Sequence, residues 1–235
     1  MANRVLLNNI DHHQLKVLRR YAPEHGHGVS HSLIVPAEFE EVQREYPIFF
    51  RTDSDGQLQV VALLGLEKSE NLFLDGQDWK ARYVPAVQRR GPFFISVAET
   101  GESSIYIDLD DGRVGAIAGE PLFKEHGGNA PLLEQVDRDL HLVHQGLREA
   151  WTMFQLLGDM NLIEPVQVNI DLGDGLTIKV SDLLTISADR FTELRSDELG
   201  RLRDSNFLTA AVFVLSSLGN VSRLIELKNR RRHLQ

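Results

Sequence analysis

Four Asp-Gly pairs divide the chain, at Asp55-Gly56, Asp75-Gly76, Asp111-Gly112 and Asp174-Gly175. Asp-Gly tolerates the positive φ angles that two-residue hairpin turns require, so each pair predicts antiparallel strands in the apolar runs beside it. Those runs are 48–51 with 58–64, 72–74 with 81–84, 105–109 with 114–118, and 166–172 with 176–180. A further strand is expected over 93–98, with a turn near Gly101, and a short helix over 36–44, where Pro36 suits a first turn.

The second half changes period. Leu133, Val136, Leu140, Val143, Leu147, Ala150, Phe154 and Leu157 alternate steps of three and four, which is one unbroken helical stripe. Asn129 is the expected N-cap, Pro131 fits the first turn, and Gly158 offers a left-handed stop. The e and g positions lack a charge code, so a helix lying on a sheet is favoured over a coiled coil. Two short helices broken near Ser196 follow over 187–203, and an apolar element leads into a final helix over 221–232. The fold class expected is therefore α+β: an antiparallel, β-rich N-terminal half with hairpins, packed against a long amphipathic helix and C-terminal helices. A single domain covers residues 1–235, β-rich over 1–125 and helix-rich over 126–235.

Composition excludes several classes of function. Without a cysteine among 235 residues, thiolate catalysis, iron–sulfur clusters and thiolate zinc sites are ruled out. A formal charge of -9 argues against a nucleic-acid partner, which needs a basic face to displace counterions. The basic tail Lys228, Arg230, Arg231 and Arg232 is expected to complement a helix dipole and stay solvated. The start, MANRVLLNNIDHH, has no apolar core for a signal peptide, and the apolar run 207–218 falls short of the roughly twenty residues that span a bilayer. The sequence thus leads us to expect a cytoplasmic protein without a transmembrane segment.

Few side chains suggest chemistry. His25, His27 and His31 stand within seven residues and could converge on a metal, which gives the alternative reading of a small metal-dependent enzyme of oxygenase or hydrolase type. Flexible glycines between them argue for a surface loop. His141 and His144 share a helical face and read as boundary residues, while Asp108–Gly112 fails the spacing of a calcium loop. No nucleophile elbow or phosphate-binding glycine motif is present. No catalytic residue, metal ligand or cofactor is assigned. The best cluster is Asn71, Trp79, Tyr83, Arg89 and Arg90, with Pro85, Pro92 and Phe93 beside it. Aromatic rings next to planar guanidinium groups suit a carboxylate, a sugar or a peptide. The architectural reading of the same residues, with rings capping a core and arginines pairing local carboxylates, is the favoured one, since aromatic rings are worth most as buried packing area.

These residues also carry a family resemblance. Tyr46-Pro47-Ile48 with Phe49-Phe50, Ala62-Leu63-Leu64-Gly65-Leu66, Glu70-Asn71-Leu72-Phe73, Trp79, Tyr83-Val84-Pro85-Ala86 and Arg89-Arg90-Gly91-Pro92-Phe93 follow in order, with Gly91 where the family usually has Tyr. Ile107-Asp108, Gly119-Glu120-Pro121-Leu122-Phe123, Gly127 and the closing Phe213 with 215–220 continue the pattern. From about Ile34 to Leu227 the chain resembles the bacterial SapC family, named for a surface-layer-associated protein. The resemblance implies an accessory protein in a surface-layer or uptake-related pathway, in the company of TonB-dependent receptors, tryptophan-halogenase-like and cupin-like proteins. It brings no catalytic residues. The function expected is a non-catalytic accessory protein that binds a protein partner or a small nutrient-derived ligand, with a homo-oligomer as a further possibility.

Overall fold

The computed structural model of the chain describes residues 3–173 and 175–233. In chain order its elements are β1 (Arg4–Leu6), β2 (Lys16–Val17), β3 (His31–Leu33), α1 (Phe39–Val42), β4 (Ile48–Thr52), β5 (Leu58–Leu63), β6 (Leu74–Asp75), β7 (Asp78–Trp79), α2 (Ala86–Arg89), β8 (Phe93–Val97), β9 (Ser103–Asp108) and β10 (Glu120–Pro121). The second half supplies α3 (Pro131–Asp159), β11 (Ile163–Asp171), β12 (Thr177–Ile186), α4 (Ala188–Thr192), α5 (Ser196–Asp204), α6 (Phe207–Ser217) and α7 (Val221–His233). A five-stranded antiparallel sheet runs β11-β12-β4-β5-β3, and a three-stranded one runs β1-β9-β8. The architecture is α+β, as the sequence pattern predicts.

The first Asp-Gly turn closes the β4–β5 hairpin around Gly56 as expected, and the second closes a hairpin around Gly76 whose second strand is β7 rather than 81–84, each glycine at positive φ. The fourth pair sits between β11 and β12, which form the long hairpin, although Asp174 itself lies outside the described residues. The third fails. Both edges of β9 are already occupied by β1 and β8, so no edge is left for 114–118. Instead Asp111 Oδ1 accepts the Arg113 backbone N–H at 2.9 Å, and the chain turns to bridge Val114 with Val17. Segment 81–84 is not a strand either, because the N–H groups of Arg82 and Tyr83 donate to Glu45 Oε2, at 2.7 and 3.2 Å. The expected hairpin of the helix-rich half, β11–β12, completes the sheet begun by β4.

Helix α3 holds the molecule together. Its first half (Leu132, Leu133, Val136, Leu140) packs with Phe93 and Ile107 of the three-stranded sheet and with Leu122, just after β10. Its second half (Ala150, Met153, Phe154, Leu157) joins the larger core of Phe49, Phe50, Val60 and Leu64. At 29 residues it extends roughly 43 Å, enough to reach both cores. The helix starts after Ala130 with no side-chain cap, and the left-handed residue beyond its end is Asn161 rather than Gly158. Midway, Gly146 lies against Val35 so closely that a Cβ would sit 2.4 Å from the valine Cβ. Gly146→Ala is expected to cost about 1–3 kcal/mol by overpacking, despite alanine's better helix propensity. A urea midpoint at or above that of the wild type would contradict this close approach.

The C-terminal helices dock on the sheet through polar contacts. Ser217 Oγ accepts the Ile48 N–H at 2.8 Å, and Asn220 Nδ2 donates to the Gln43 and Tyr46 carbonyls. Lys228 pairs with Glu67 and Glu70, Arg231 donates to the carbonyls of Asn71 and Leu74, and Arg232 donates to that of Leu172. The basic tail is thus a clamp rather than a solvated run, with Arg230 alone left on the exposed side. The helical run is also longer than the apolar stretch 207–218 suggests. Phe207–His233 continues for 27 residues and reaches the length and hydropathy of a membrane-spanning helix, which corrects the expectation that no segment does.

Candidate functional site

Tyr46 sits at the middle of the aromatic cluster and is fully buried. Its hydroxyl accepts from Trp79 Nε1 at 2.7 Å and donates to the Tyr83 carbonyl. Tyr83 Oη in turn donates to Glu38 Oε1 at 2.9 Å. Glu38, 1% exposed, also receives the N–H groups of Ala86 at 2.7 Å and Val35 at 3.0 Å. Arg89 lies over the Tyr83 ring at 4.8 Å, donates from Nε and Nη2 to Asp139 of α3, and from Nη1 to the Val84 carbonyl at 2.7 Å. The helix α2 that carries Arg89 starts directly after Pro85, its N-cap residue, whose carbonyl accepts the Gln88 and Arg89 N–H groups.

Burial sets the electrostatics. It pushes the Tyr46 and Tyr83 hydroxyls well above their ordinary range, for Tyr83 with the Glu38 carboxylate adding to it. Burial also raises Glu38, against the hydrogen bonds it accepts. For Arg89, burial alone would lower the pKa, but Asp139 and Tyr83 together outweigh it and the net shift is upward. Every ionisable group of this network has its polar atoms committed to internal partners.

The five residues singled out in the sequence are distributed along this framework. Trp79 and Tyr83 are linked through Tyr46, and Arg89 joins them over the Tyr83 ring. Asn71 stands apart, its Nδ2 donating to the His27 carbonyl at 2.9 Å and its Oδ1 accepting the Phe73 N–H at 3.0 Å. Tyr21 joins the two parts, meeting Trp79 and His27 edge-on at 5.6 and 5.2 Å. Arg90 points the other way, donating to the Phe93 carbonyl at 2.6 Å and lying over the Phe94 ring, which Arg4 also covers.

Two concavities touch these residues. A cleft of about 700 Å³ beside Asn71 is lined by Glu67, Glu70, Lys228 and Arg231, whose charges meet one another or backbone carbonyls. The second is a narrow seam, with space of about 20 Å³, where Arg19, Arg20, Arg89, Arg90 and Arg113 gather around Tyr21. Arg19, Arg20, Tyr21, Arg113, Glu38 and Asp139 are absent from the sequence assignment. A readable signal existed for two sets of them. Arg19-Arg20-Tyr21 repeats the pairing of a double Arg with an aromatic, and Asp139 interrupts the apolar stripe between Val136 and Leu140.

The three histidines do not converge. Among the described residues no group of His and carboxylate side chains could hold a metal ion. His27 is buried with Nδ1 against the Ala22 backbone, while His31 contacts the Arg51 guanidinium. His25 lies near Gly112. Each ring is fixed by a different neighbour, and the guanidinium beside His31 would repel a cation, so the metal-enzyme reading falls.

Burial, and then the nearby Arg113, lowers the pKa of His27, and burial with Arg51 lowers that of His31. Both rings favour the neutral form when folded. Their contribution to stability is present above the ordinary histidine value of 6.5 and is lost as the pH falls through the depressed folded values. The wild type should therefore lose stability on acidification below that point, and His31→Gln should flatten the slope. Identical denaturation profiles across that range would refute the assignment.

The SapC family model matches residues 7–224 of the 235. No curated protein and no solved structure matches the chain.

Proposed function

Since the chain belongs to the SapC family, we propose that it is a non-catalytic, cytoplasmic accessory protein that holds an acidic segment of a protein partner in a surface-layer or uptake-related pathway. The observation that carries this reading is the arginine seam. In a chain of net charge -9, five guanidinium groups meet in one place. Two of them are internally balanced, Arg89 by Asp139 and Arg113 by Asp111. Arg19 meets Glu120 only at 4.0 Å. Arg20 and Arg90 have no carboxylate within ion-pair distance among the described residues.

An excess of positive charge of this kind attracts and orients a negative partner, and Arg with Tyr is the side-chain pairing that interfaces favour. The size of the seam favours a partner's side chain over a whole small molecule. About 20 Å³ is room for little more than a water-sized group, far below the several hundred Å³ of a small-molecule pocket. A partner's Asp or Glu carboxylate would meet the guanidinium groups at the mouth of this seam, beside the exposed Arg19 and Arg20. The absence of a catalytic role is supported by the saturated network beside the seam. Glu38, Tyr46, Tyr83 and Asp139 are already hydrogen-bonded internally, so none is free to exchange a proton with a substrate.

The test is a calorimetric titration with a short Asp/Glu peptide at low ionic strength. The double variant Arg19→Ala/Arg20→Ala should bind about tenfold more weakly, and added salt should weaken the wild type. Arg230→Ala, at the exposed end of α7, should bind as the wild type does. Equal affinity for wild type and the Arg19/Arg20 variant would reject the seam as the contact.

A further inference from the structure

A second basic concavity lies away from the arginine seam, on the five-stranded sheet. Side chains of successive strand residues point to opposite faces, so Phe50, whose ring meets Phe154 of α3, and its neighbour Arg51 lie on opposite sides. The pairings of Arg51 with Gln59 and of His31 with Leu63 place Arg51, His31 and Leu63 on one common face. There they line a pocket of about 410 Å³ together with Lys68, Lys179, Leu66 and Leu183.

Its charges are unbalanced. Arg51, Lys68 and Lys179 make no ion pair among the described residues, and Glu67 on the rim is engaged by Lys228. Arg51 Nη1 meets the His31 ring at 2.9 Å, and Arg51 Nε is buried with no hydrogen-bond partner. A buried guanidinium donor left unmet is costly, and a neutral imidazole does little to balance the charge. The loop that presents Lys68 is fixed, because the Leu66 N–H donates to the Glu70 carboxylate at 3.0 Å.

We propose that this pocket binds a small organic anion, with a carboxylate or phosphate between Arg51, Lys68 and Lys179 and a short apolar body over Leu63, Leu66 and Leu183. The guanidinium and two ammonium groups supply donors that strengthen when their acceptor is charged. The leucines give the remainder of the ligand an apolar floor, and the volume falls in the range of small-ligand sites. His31, held neutral by burial and by Arg51, accepts from the guanidinium and fixes its direction.

Butyrate, butyl phosphate and inorganic phosphate, titrated into the full chain and followed by calorimetry, test the site. At least one butyl-bearing anion should bind saturably and more tightly than inorganic phosphate, and the better of the two identifies the head group. Arg51→Gln and the double variant Lys68→Ala/Lys179→Ala should each weaken it about tenfold, the loss of a charge-assisted contact. The lysines are exposed, so the double variant keeps the fold even where Arg51→Gln does not. Absence of saturable binding, or affinity unchanged in the lysine variant, overturns the site; equal affinity for inorganic and butyl phosphate removes the apolar body from the proposal. Arg19→Ala/Arg20→Ala should leave this binding intact, which separates it from the seam.

Discussion

Replacing Asp139 with alanine is expected to cost about 3–5 kcal/mol of folding stability, read as a lowered urea midpoint with an unchanged slope. Asp139 is 3% exposed and Arg89 18%, and the carboxylate takes two guanidinium donors, the shorter at 2.6 Å. Its loss leaves a charged group inside the protein with only the Val84 carbonyl and the Tyr83 ring as partners. That is the costly way to break a buried pair. Removing both charges is far cheaper, so Arg89→Leu/Asp139→Leu should be closer to wild type than either single variant. A loss below about 1 kcal/mol for Asp139→Ala would put the pair in the class of surface ion pairs and contradict its role as the tie between α2 and α3.

Glu38→Ala should be comparably severe, about 3–5 kcal/mol, for a different reason. It removes the common acceptor of three donors: the N–H groups of Val35 and Ala86 and the Tyr83 hydroxyl. Each buried donor left without a partner costs about 1–3 kcal/mol. Glu38→Gln is the informative companion, since an amide nitrogen would face donors where an oxygen now accepts. The wild type also carries a pH signature. Burial raises the Glu38 pKa above its ordinary value, so the folded state holds the proton longer than the unfolded chain does. The resulting stabilisation is full below the unfolded value and lost as pH rises through the folded one, and the Glu38 variants should lack that slope. Because Tyr83 and Arg89 connect Glu38 to Asp139, the double variant Glu38→Ala/Asp139→Ala should deviate from additivity. Strict additivity would mean that the two carboxylates support separate structures.

The parts of this fold that were legible in the sequence are those set by local chemistry. Gly56 and Gly76 take positive φ, which fixes the β4–β5 and β6–β7 turns, and the three-four spacing from Leu133 to Leu157 fixes α3. The Asp111-Gly112 turn was illegible because its outcome depends on β1, a strand about a hundred residues earlier in the chain, occupying the edge of β9. The short strands β2, β3 and β10 carry too few residues to show a period, and they form only where a partner edge exists.

The candidate sites divide in the same way. Sequence composition identified Trp79, Tyr83, Arg89 and Arg90 as an aromatic–guanidinium group, since those residue types lie close along the chain. It could not place Arg19, Arg20 and Arg113 beside them, or Arg51 beside Lys179, because these contacts join segments tens of residues apart through the sheets. The sequence by itself determined the family, the α+β class, the turns at Gly56 and Gly76 and the long helix, all properties of neighbouring residues. Tertiary structure alone decided which charges are neutralised inside the protein and which have no ion-pair partner among the described residues, because pairing depends on distance in space and on exclusion of water.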